Sequence, residues 1–226
     1  MHMARVPVIA IGLIAAAISS AQDRETPAST TATPYAVLDD QGSQLRSDFN
    51  RHVGSVRLLF VVDPICPTCL RGLNDMDRDL LRGTPDPRMW TFVVHEPVLG
   101  TTHAAPWSPK AEAKDVVNAA QLLHNAHVEH YWNASGAFGQ LLSQGVGLKN
   151  GDGPVYAWDV WLIYGPDAVW QGPAPTVPAL LMHQLGALRG SAQFPRLDSH
   201  VFAERAHGLL AQLPASTSTP STKSPP

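Results

Sequence analysis

The sequence has few cysteines and little charge. Two cysteines occur in 226 residues, 15% of the residues are charged and the formal net charge is −3. Two cysteines are too few for a scaffold held together by disulfides, and the small negative charge excludes an electrostatic basis for a nucleic-acid partner. The 44% of hydrophobic residues can form a core. We therefore expect a folded protein, with no cofactor implied by its composition.

Long hydrophobic runs are also missing, apart from one at the amino terminus. The run at 6–18 follows Arg5 and precedes the small residues Ser19 and Ala21, a pattern typical of a signal peptide cleaved after Ala21. A short membrane anchor is the alternative, although spanning a bilayer takes about 20 apolar residues. Export would place the protein in the periplasm or outside the cell, where the environment is oxidising. No membrane span is predicted after cleavage.

Composition divides the chain into four parts. We predict a signal peptide at 1–21, a flexible linker at 22–34, a folded domain at 35–213 and a disordered tail rich in serine, threonine and proline at 214–226.

Within the folded domain, strand and helix patterns alternate. The sequence predicts strands at 35–38, 56–62 and 90–94, and a hairpin of 160–164 with 168–170. Helices are predicted at 67–81, from the Ser108-Pro109 pair onward, at 177–188 and at 199–213 with Asp198 as cap. This order predicts an α/β sandwich around a mixed sheet.

The two cysteines form the motif Cys66-Pro67-Thr68-Cys69, between an apolar strand and a helix. With the strand 58–62 before it, this segment resembles the thioredoxin superfamily, and the first strand and turn at 35–42 are similar to the extension of its exported branch. The resemblance implies a thioredoxin-like three-layer sandwich with a central mixed sheet and an N-terminal β extension. It also implies an enzyme that exchanges disulfides with the thiols and disulfides of other exported proteins and is recycled by an electron donor or acceptor.

The position of the motif has a chemical reason. A thiolate is the nucleophile in disulfide exchange, and the amino terminus of a helix favours an anion. Cys66 is therefore expected to be ionised and partly exposed, and Cys69, one turn later, to be shielded and to resolve the mixed disulfide. A Cys66–Cys69 disulfide is the oxidised form. The resemblance implies that Pro67 and Thr68, between the cysteines, form the redox-tuning motif: Pro67 suits the first helical turn, and Thr68 adds no charge to the thiolate.

Two family features are absent at their usual places. Where the family carries a proline facing the cysteines, this chain has Asp159; the nearest proline is Pro154, so either a short insertion separates it from the strand or the proline is lost. The acid that often precedes the motif is replaced by Phe60. Candidates for its proton-transfer role are Asp63, His95 and Glu96.

Other interpretations of the pair stay open. The disulfide could be an inert surface bridge, or the chain could be a non-catalytic binding module. Thiolates also suit a carrier of copper or another soft metal. The histidines at 124, 127 and 130 are too far from Cys69 for a zinc-finger spacing and are interpreted as a helix face, so no metal site is predicted.

Overall fold

The computed structural model describes residues 33–82, 86–151 and 153–214. The predicted signal peptide at 1–21, nearly all of the predicted linker at 22–34 and all but the first residue of the predicted tail at 214–226 lie outside these ranges. Within the described ranges, no helix has both the length and the apolar character that crossing a bilayer requires. The four-part division of the chain stays a prediction.

The described residues form one six-stranded mixed sheet and a small two-stranded ribbon. The strands are β1 (Ala36–Val37), β2 (Val56–Val62), β3 (Met89–His95), β4 (Val128–Trp132), β5 (Lys149–Asn150), β6 (Gly153–Pro154), β7 (Val160–Tyr164) and β8 (Leu180–His183). The order in the large sheet is β1-β4-β3-β2-β7-β8, and β5 pairs with β6. Strands β1, β4, β3 and β2 are parallel neighbours, whereas β7 is antiparallel to β2 and β8 is antiparallel to β7.

Helices cover both faces of this sheet because its central strands are apolar on both sides. The helices are α1 (Ser43–Arg51), α2 (Pro67–Met76), α3 (Ala113–Ala120), α4 (Ala137–Val146) and α5 (Ser199–Leu210). In β2, Leu59 and Val61 pack in the core with α1 and α4, whereas Leu58 and Phe60 pack in the core with α2 and α5. This alternation is typical of a strand buried on both faces. The predicted three-layer α/β sandwich with a mixed sheet is confirmed, and β1 supplies the N-terminal β extension.

Several predicted elements match the structure closely. The predicted strands at 56–62 and 90–94 correspond to β2 and β3. The predicted helix at 67–81 consists of α2 followed by a π-helical turn at Asp77–Leu81. Asp198 caps α5, because its carboxylate accepts from the backbone N–H groups of His200 and Val201.

The second strand of the predicted hairpin is placed wrongly. Strand β7 pairs with β8, which lies inside the segment 177–188 that was predicted as a helix. The residues 168–170 form no strand, because Trp170 packs against Phe49 and Phe138 and its backbone N–H donates to Asn50 Oδ1 at 2.9 Å. The segment is therefore tied to α1 instead of to β7.

The helix predicted from the Ser108-Pro109 pair is also wrong in its start. A reciprocal capping box of Glu112 and Asp115 starts α3 at Ala113. Since α3 ends at Ala120, the histidines at 124, 127 and 130 do not share a helix face; His130 lies in β4 and is buried.

Candidate functional site

Cys66 lies directly before the first residue of α2, beyond the carboxyl end of β2. The turn between them is held by Asp63, whose carbonyl oxygen accepts from the Cys66 N–H at 3.2 Å and whose carboxylate accepts from the Ile65 N–H at 2.9 Å. Pro67 takes the first helical position, where no N–H donor is needed. The Leu70 N–H then donates to the Cys66 carbonyl at 3.0 Å, which begins the helix. The predicted junction of strand, turn and helix is present.

Both cysteine side chains are buried. Cys69 is fully buried, as predicted, but Cys66 is only 4% exposed, so the expectation of a partly exposed sulfur is wrong. The reason is that both cysteines pack in the core between the sheet, α2 and α5. Both are free thiols, and the Cys66–Cys69 disulfide is not formed in this structure.

Polar groups surround Cys66 despite its burial. Its Sγ lies 2.9 Å from Oγ1 of Thr68. A hydrogen bond from the Cys69 thiol lowers the pKa of Cys66 to about 6, and the Thr68 hydroxyl and the Cys69 backbone N–H act in the same direction, whereas burial opposes them. Thr68, one of the two residues predicted to tune the pair, therefore acts on the thiolate by hydrogen bonding and not by charge.

Cys69 has the opposite character. Burial raises the pKa of Cys69 well above its ordinary value, and its hydrogen bond to Cys66 adds to the effect. One sulfur of the pair is therefore held as an anion near neutral pH, while the other keeps its proton. This asymmetry is what an attacking thiol and a resolving thiol require.

A third ionisable group, Asp159, joins the two cysteines. One carboxylate oxygen of Asp159 and the sulfurs of Cys66 and Cys69 all lie within 4.8 Å of one another. Asp159 is 2% exposed and has a positive φ of 50°. Burial raises the pKa of Asp159 to about 6. Sequence reasoning found this position as the place of a missing proline but gave its carboxylate no role.

Neighbouring side chains hold Asp159 in place. Trp161 Nε1 donates to Asp159 Oδ1 at 3.3 Å, and the Gln184 N–H donates to the Asp159 carbonyl at 3.0 Å. When its amide nitrogen faces these oxygens, the Gln184 side chain also donates to Asp159 Oδ1 at 2.7 Å and to the Thr68 carbonyl at 3.0 Å. The carboxylate is thus fixed between α2, β7 and the segment after β8.

The proline expected at this position is lost. Pro154 lies in β6, where it is exposed and pairs with Lys149 of β5. The residue directly before β7 is Asp159, and the five residues between Pro154 and β7 include no proline. The alternative of a short insertion with a retained proline is therefore wrong.

Asp63, a predicted candidate for proton transfer, is committed to backbone groups. Its Oδ2 accepts from the N–H groups of Val98 and Leu99, each at 2.8 Å, in addition to the bond from Ile65 to Oδ1. Burial raises the pKa of its carboxyl, and these three donors oppose the shift. Asp63 affects the site through its backbone, because its N–H lowers the pKa of Cys69.

His95 and Glu96, the other two candidates, have their own buried partners. His95 Nε2 lies 3.0 Å from Nδ1 of His130, and burial lowers the pKa of both histidines. Glu96 accepts from the Gly139 N–H at 3.1 Å and from the Tyr156 hydroxyl at 2.8 Å. Among the described residues, only Asp159 joins the two cysteines in a cluster of ionisable groups.

Comparisons with known proteins give weak likenesses. No family model matches the sequence, and no curated protein matches it. A secreted disulfide oxidoreductase of Mycobacterium tuberculosis, described as homologous to DsbE of E. coli, is 10% identical, with a TM-score of 0.41 over 70% of this chain and 85% of its own. An exposed lipoprotein thioredoxin of Streptococcus pneumoniae is 14% identical, with a TM-score of 0.38 over 70% of this chain and 88% of its own.

The six-stranded sheet combines parallel and antiparallel strand pairs. A parallel pair, β2 and β3, adjoins an antiparallel pair, β7 and β8, in one sheet. The cysteine motif opens the helix that follows the first of these strands, and α5 follows the last and packs beside α2. This chain therefore has the thioredoxin-like α/β fold that its sequence resemblance implied.

Proposed function

We propose that this protein is an exported thiol–disulfide oxidoreductase that exchanges disulfides with other exported proteins through Cys66 and Cys69. The observation that carries the proposal is the arrangement of the two thiols: Cys66 directly precedes α2 with its Sγ 2.9 Å from the Thr68 hydroxyl oxygen, and Cys69 is fully buried one turn later. The pKa of Cys66 is lowered to about 6, so this thiol is mainly a thiolate at pH 7, whereas the buried Cys69 keeps its proton. An inert bridge or a binding module has no need of this difference.

The proposed cycle balances in two steps. The Cys66 thiolate attacks one sulfur of a partner disulfide, so that a mixed disulfide forms and the other partner sulfur leaves as a thiolate. Cys69 then loses its proton and attacks Cys66 Sγ, which forms the Cys66–Cys69 disulfide and releases the second partner thiolate. The partner is reduced by two electrons and this protein is oxidised by two. The same steps run backwards when the protein is the oxidant.

Reduction of insulin disulfides by the dithiol form tests the proposal. Wild type should reduce insulin with dithiothreitol as electron source, Cys66→Ser should be inactive, and Cys69→Ser should accumulate mixed disulfides that are visible on non-reducing gels. Circular dichroism checks that both variants fold. Full exchange activity in both variants would rule the proposal out. The reduction potential then gives the direction, since about −270 mV indicates a reductant and about −120 mV an oxidant.

Export has its own test, because it depends on residues outside the described ranges. The proposed signal peptide at 1–21 predicts that the mature protein begins at Gln22. Fractionation of cells that produce the full chain, followed by amino-terminal sequencing, should find this product in the periplasm or the medium. An uncleaved product in the membrane fraction would favour the anchor.

A soft-metal carrier is the main rival function. Copper(I) prefers thiolate and imidazole ligands, but the third ionisable group beside the thiols is a carboxylate that already accepts hydrogen bonds from Trp161 and Gln184. No histidine of the described residues joins this cluster. Competition with a coloured copper(I) chelator separates the two functions: tight binding without insulin reduction would favour the carrier. For a binding module, partners would still be captured after loss of both cysteines.

A further inference from the structure

The second step of the proposed cycle needs a proton acceptor. Cys69 is fully buried, so bulk water does not reach its thiol, and burial raises its pKa well above neutral. A thiol of this kind attacks slowly unless a nearby base takes its proton as the new bond forms. The β2 side chains in the same core as the cysteines, Phe60 and Val62 among them, are apolar and cannot accept a proton.

Asp159 has the chemistry and the position for this task. Its carboxylate is the only one among the described residues that lies with both sulfurs inside a 4.8 Å cluster. Trp161 and Gln184 donate hydrogen bonds to it from one side, and the Cys69 sulfur lies within 4.8 Å of it on the side of α2. A carboxylate with fixed donors keeps one orientation, which proton transfer at short range requires.

The backbone at Asp159 indicates a special role for this residue. A positive φ of 50° is uncommon for a residue other than glycine, and aspartate is among the side chains that tolerate it best. Such a conformation is kept only where its surroundings enforce it. Here the Gln184 N–H holds the Asp159 carbonyl at 3.0 Å, and β7 begins at the next residue.

We propose that Asp159 is the proton acceptor for Cys69 when the mixed disulfide is resolved. In that step the Cys69 S–H proton passes to the carboxylate and the Cys69 sulfur bonds to Cys66 Sγ. The bond between Cys66 and the partner sulfur breaks, and that sulfur leaves with the electron pair. The protonated Asp159 then returns its proton to the leaving thiolate or to water. This inference rests on the proposed oxidoreductase function and assigns it a residue from the loop before β7.

The charges around Asp159 favour proton acceptance in the mixed disulfide over proton acceptance in the reduced protein. The titratable groups that act on it are Cys69 of α2, Cys66 directly before α2, and Arg196 of the segment after β8. In the reduced protein the carboxylate lies beside the Cys66 thiolate, and each negative charge disfavours the other. In the mixed disulfide Cys66 is neutral, so Asp159 is the remaining anion of the cluster.

A chromogenic aromatic disulfide, 5,5′-dithiobis(2-nitrobenzoate), separates the two steps. Attack by Cys66 releases the first coloured thiolate, and attack by Cys69 on the mixed disulfide releases the second. In Asp159→Asn we expect the first phase to stay within about twofold of wild type and the second phase to slow by about 100-fold. Cys69→Ser should show only the first phase. The matched control is Asp48→Asn, a buried aspartate of α1 whose carboxylate binds Tyr131 and whose variant should keep both phases.

The pH dependence distinguishes proton acceptance from a structural effect. In wild type the second phase should rise with pH and level off above the Asp159 titration, whose pKa is about 6. In Asp159→Asn its rate should instead keep rising in proportion to hydroxide. Asp159→Gly, which suits the positive φ and leaves a gap, should regain the second phase when formate is added. It also replaces the asparagine variant if that one fails to fold.

The outcomes separate the two proposals. If wild type lacks even the first phase, the oxidoreductase function fails. If the first phase is normal but the second is unchanged in both Asp159 variants, the inference about Asp159 is overturned and the function stands. A slowed second phase with an unchanged pH profile and no response to formate would make Asp159 a structural residue and would likewise overturn the inference.

Discussion

Thr68 acts on two of the three ionisable groups of the site, Cys66 and Asp159. Its hydroxyl oxygen lies 2.9 Å from Cys66 Sγ, and the hydroxyl lowers the pKa of Asp159 as well as that of Cys66. A neutral side chain therefore lowers the pKa of Cys66. A residue between the two cysteines can thus change the pKa of the first cysteine by donating a hydrogen bond, without carrying a charge.

Removal of this hydroxyl should make Cys66 less acidic. Alkylation of Cys66 by iodoacetamide should rise with pH around an inflection near pH 6, the pKa of Cys66. In Thr68→Val the inflection should move to about pH 7, because a hydrogen bond to a charged group contributes about 1.5 kcal/mol. It should stay below the ordinary cysteine value, since the stronger donor, Cys69, remains. Thr68→Ser is the matched control, and an unchanged inflection in Thr68→Val would contradict this role.

The sequence predicts the two cysteines of the site better than their neighbours. The strand, the turn and the C-x-x-C motif are contiguous, so local patterns locate Cys66 and Cys69 at the start of a helix. Asp159 lies 90 residues after Cys69, and only the antiparallel pairing of β7 with β2 brings it to the same end of the sheet. No local signal marks a contact of that kind, so the sequence alone shows only that the position lacks a proline.

At the scale of elements, α2 is held against β7 by a close approach of backbone to side chain. A Cβ on Gly72 would lie 2.3 Å from Cζ2 and 2.8 Å from Cη2 of Trp161. Trp161 is fully buried and also donates to Asp159. Gly72 thus allows the helix that carries the cysteines to pack on the strand that follows Asp159.

A methyl group at Gly72 should therefore destabilise the protein. We expect Gly72→Ala to lower the free energy of unfolding by about 1–3 kcal/mol, because α2 or Trp161 must shift. Gly208→Ala is the matched control: Gly208 is an exposed residue of α5 with no atom near its Cβ position, so this change should stabilise by up to about 1 kcal/mol. Urea denaturation measures both. Equal effects of the two substitutions would show that the contact has no energetic importance.

The elements that the sequence missed share a physical cause. Helix α1 has only two large apolar residues, Leu45 and Phe49, and α4 contains two glycines, so neither segment carries a strong composition signal for a helix. Strand β4 contains Glu129 and His130, whose partners, Tyr131 and Leu123, cannot be foreseen from the pattern. Strand β8 has an apolar run that suits either helix or strand, and only its pairing with β7 decides between them.

At the scale of the whole molecule, β2 has a buried charged side chain at or next to each end. Near its start, the guanidinium of Arg57 donates to five backbone carbonyls, those of Phe49, Ser55, Gly165, Pro166 and Ala168. Beyond its carboxyl end, Asp63 accepts from three backbone N–H groups. These bonds fix the loops at both ends of the sheet to the central strand.

Glu96 makes the stability of the fold depend on pH. It is fully buried between β3, α4 and Tyr156, and burial raises its pKa to about 7. Between about pH 4.5, where an exposed glutamate titrates, and pH 7, the folded protein holds a proton that the unfolded chain has released. The Glu96 contribution to stability is therefore largest at low pH and is lost as pH rises through this window.

A comparison of wild type with Glu96→Gln isolates this contribution. The glutamine does not titrate, so the free energy of unfolding of the variant should rise relative to wild type from pH 4.5 to pH 7, by up to about 3 kcal/mol. Other buried groups, such as His95 and His130, are common to both proteins and cancel in the difference. Tyr156→Phe removes a donor that lowers the pKa of Glu96. In this variant the decrease of stability with pH should therefore continue to a higher pH than in wild type. Urea denaturation across this range measures the curves, and parallel curves for wild type and Glu96→Gln would exclude a raised pKa at this site.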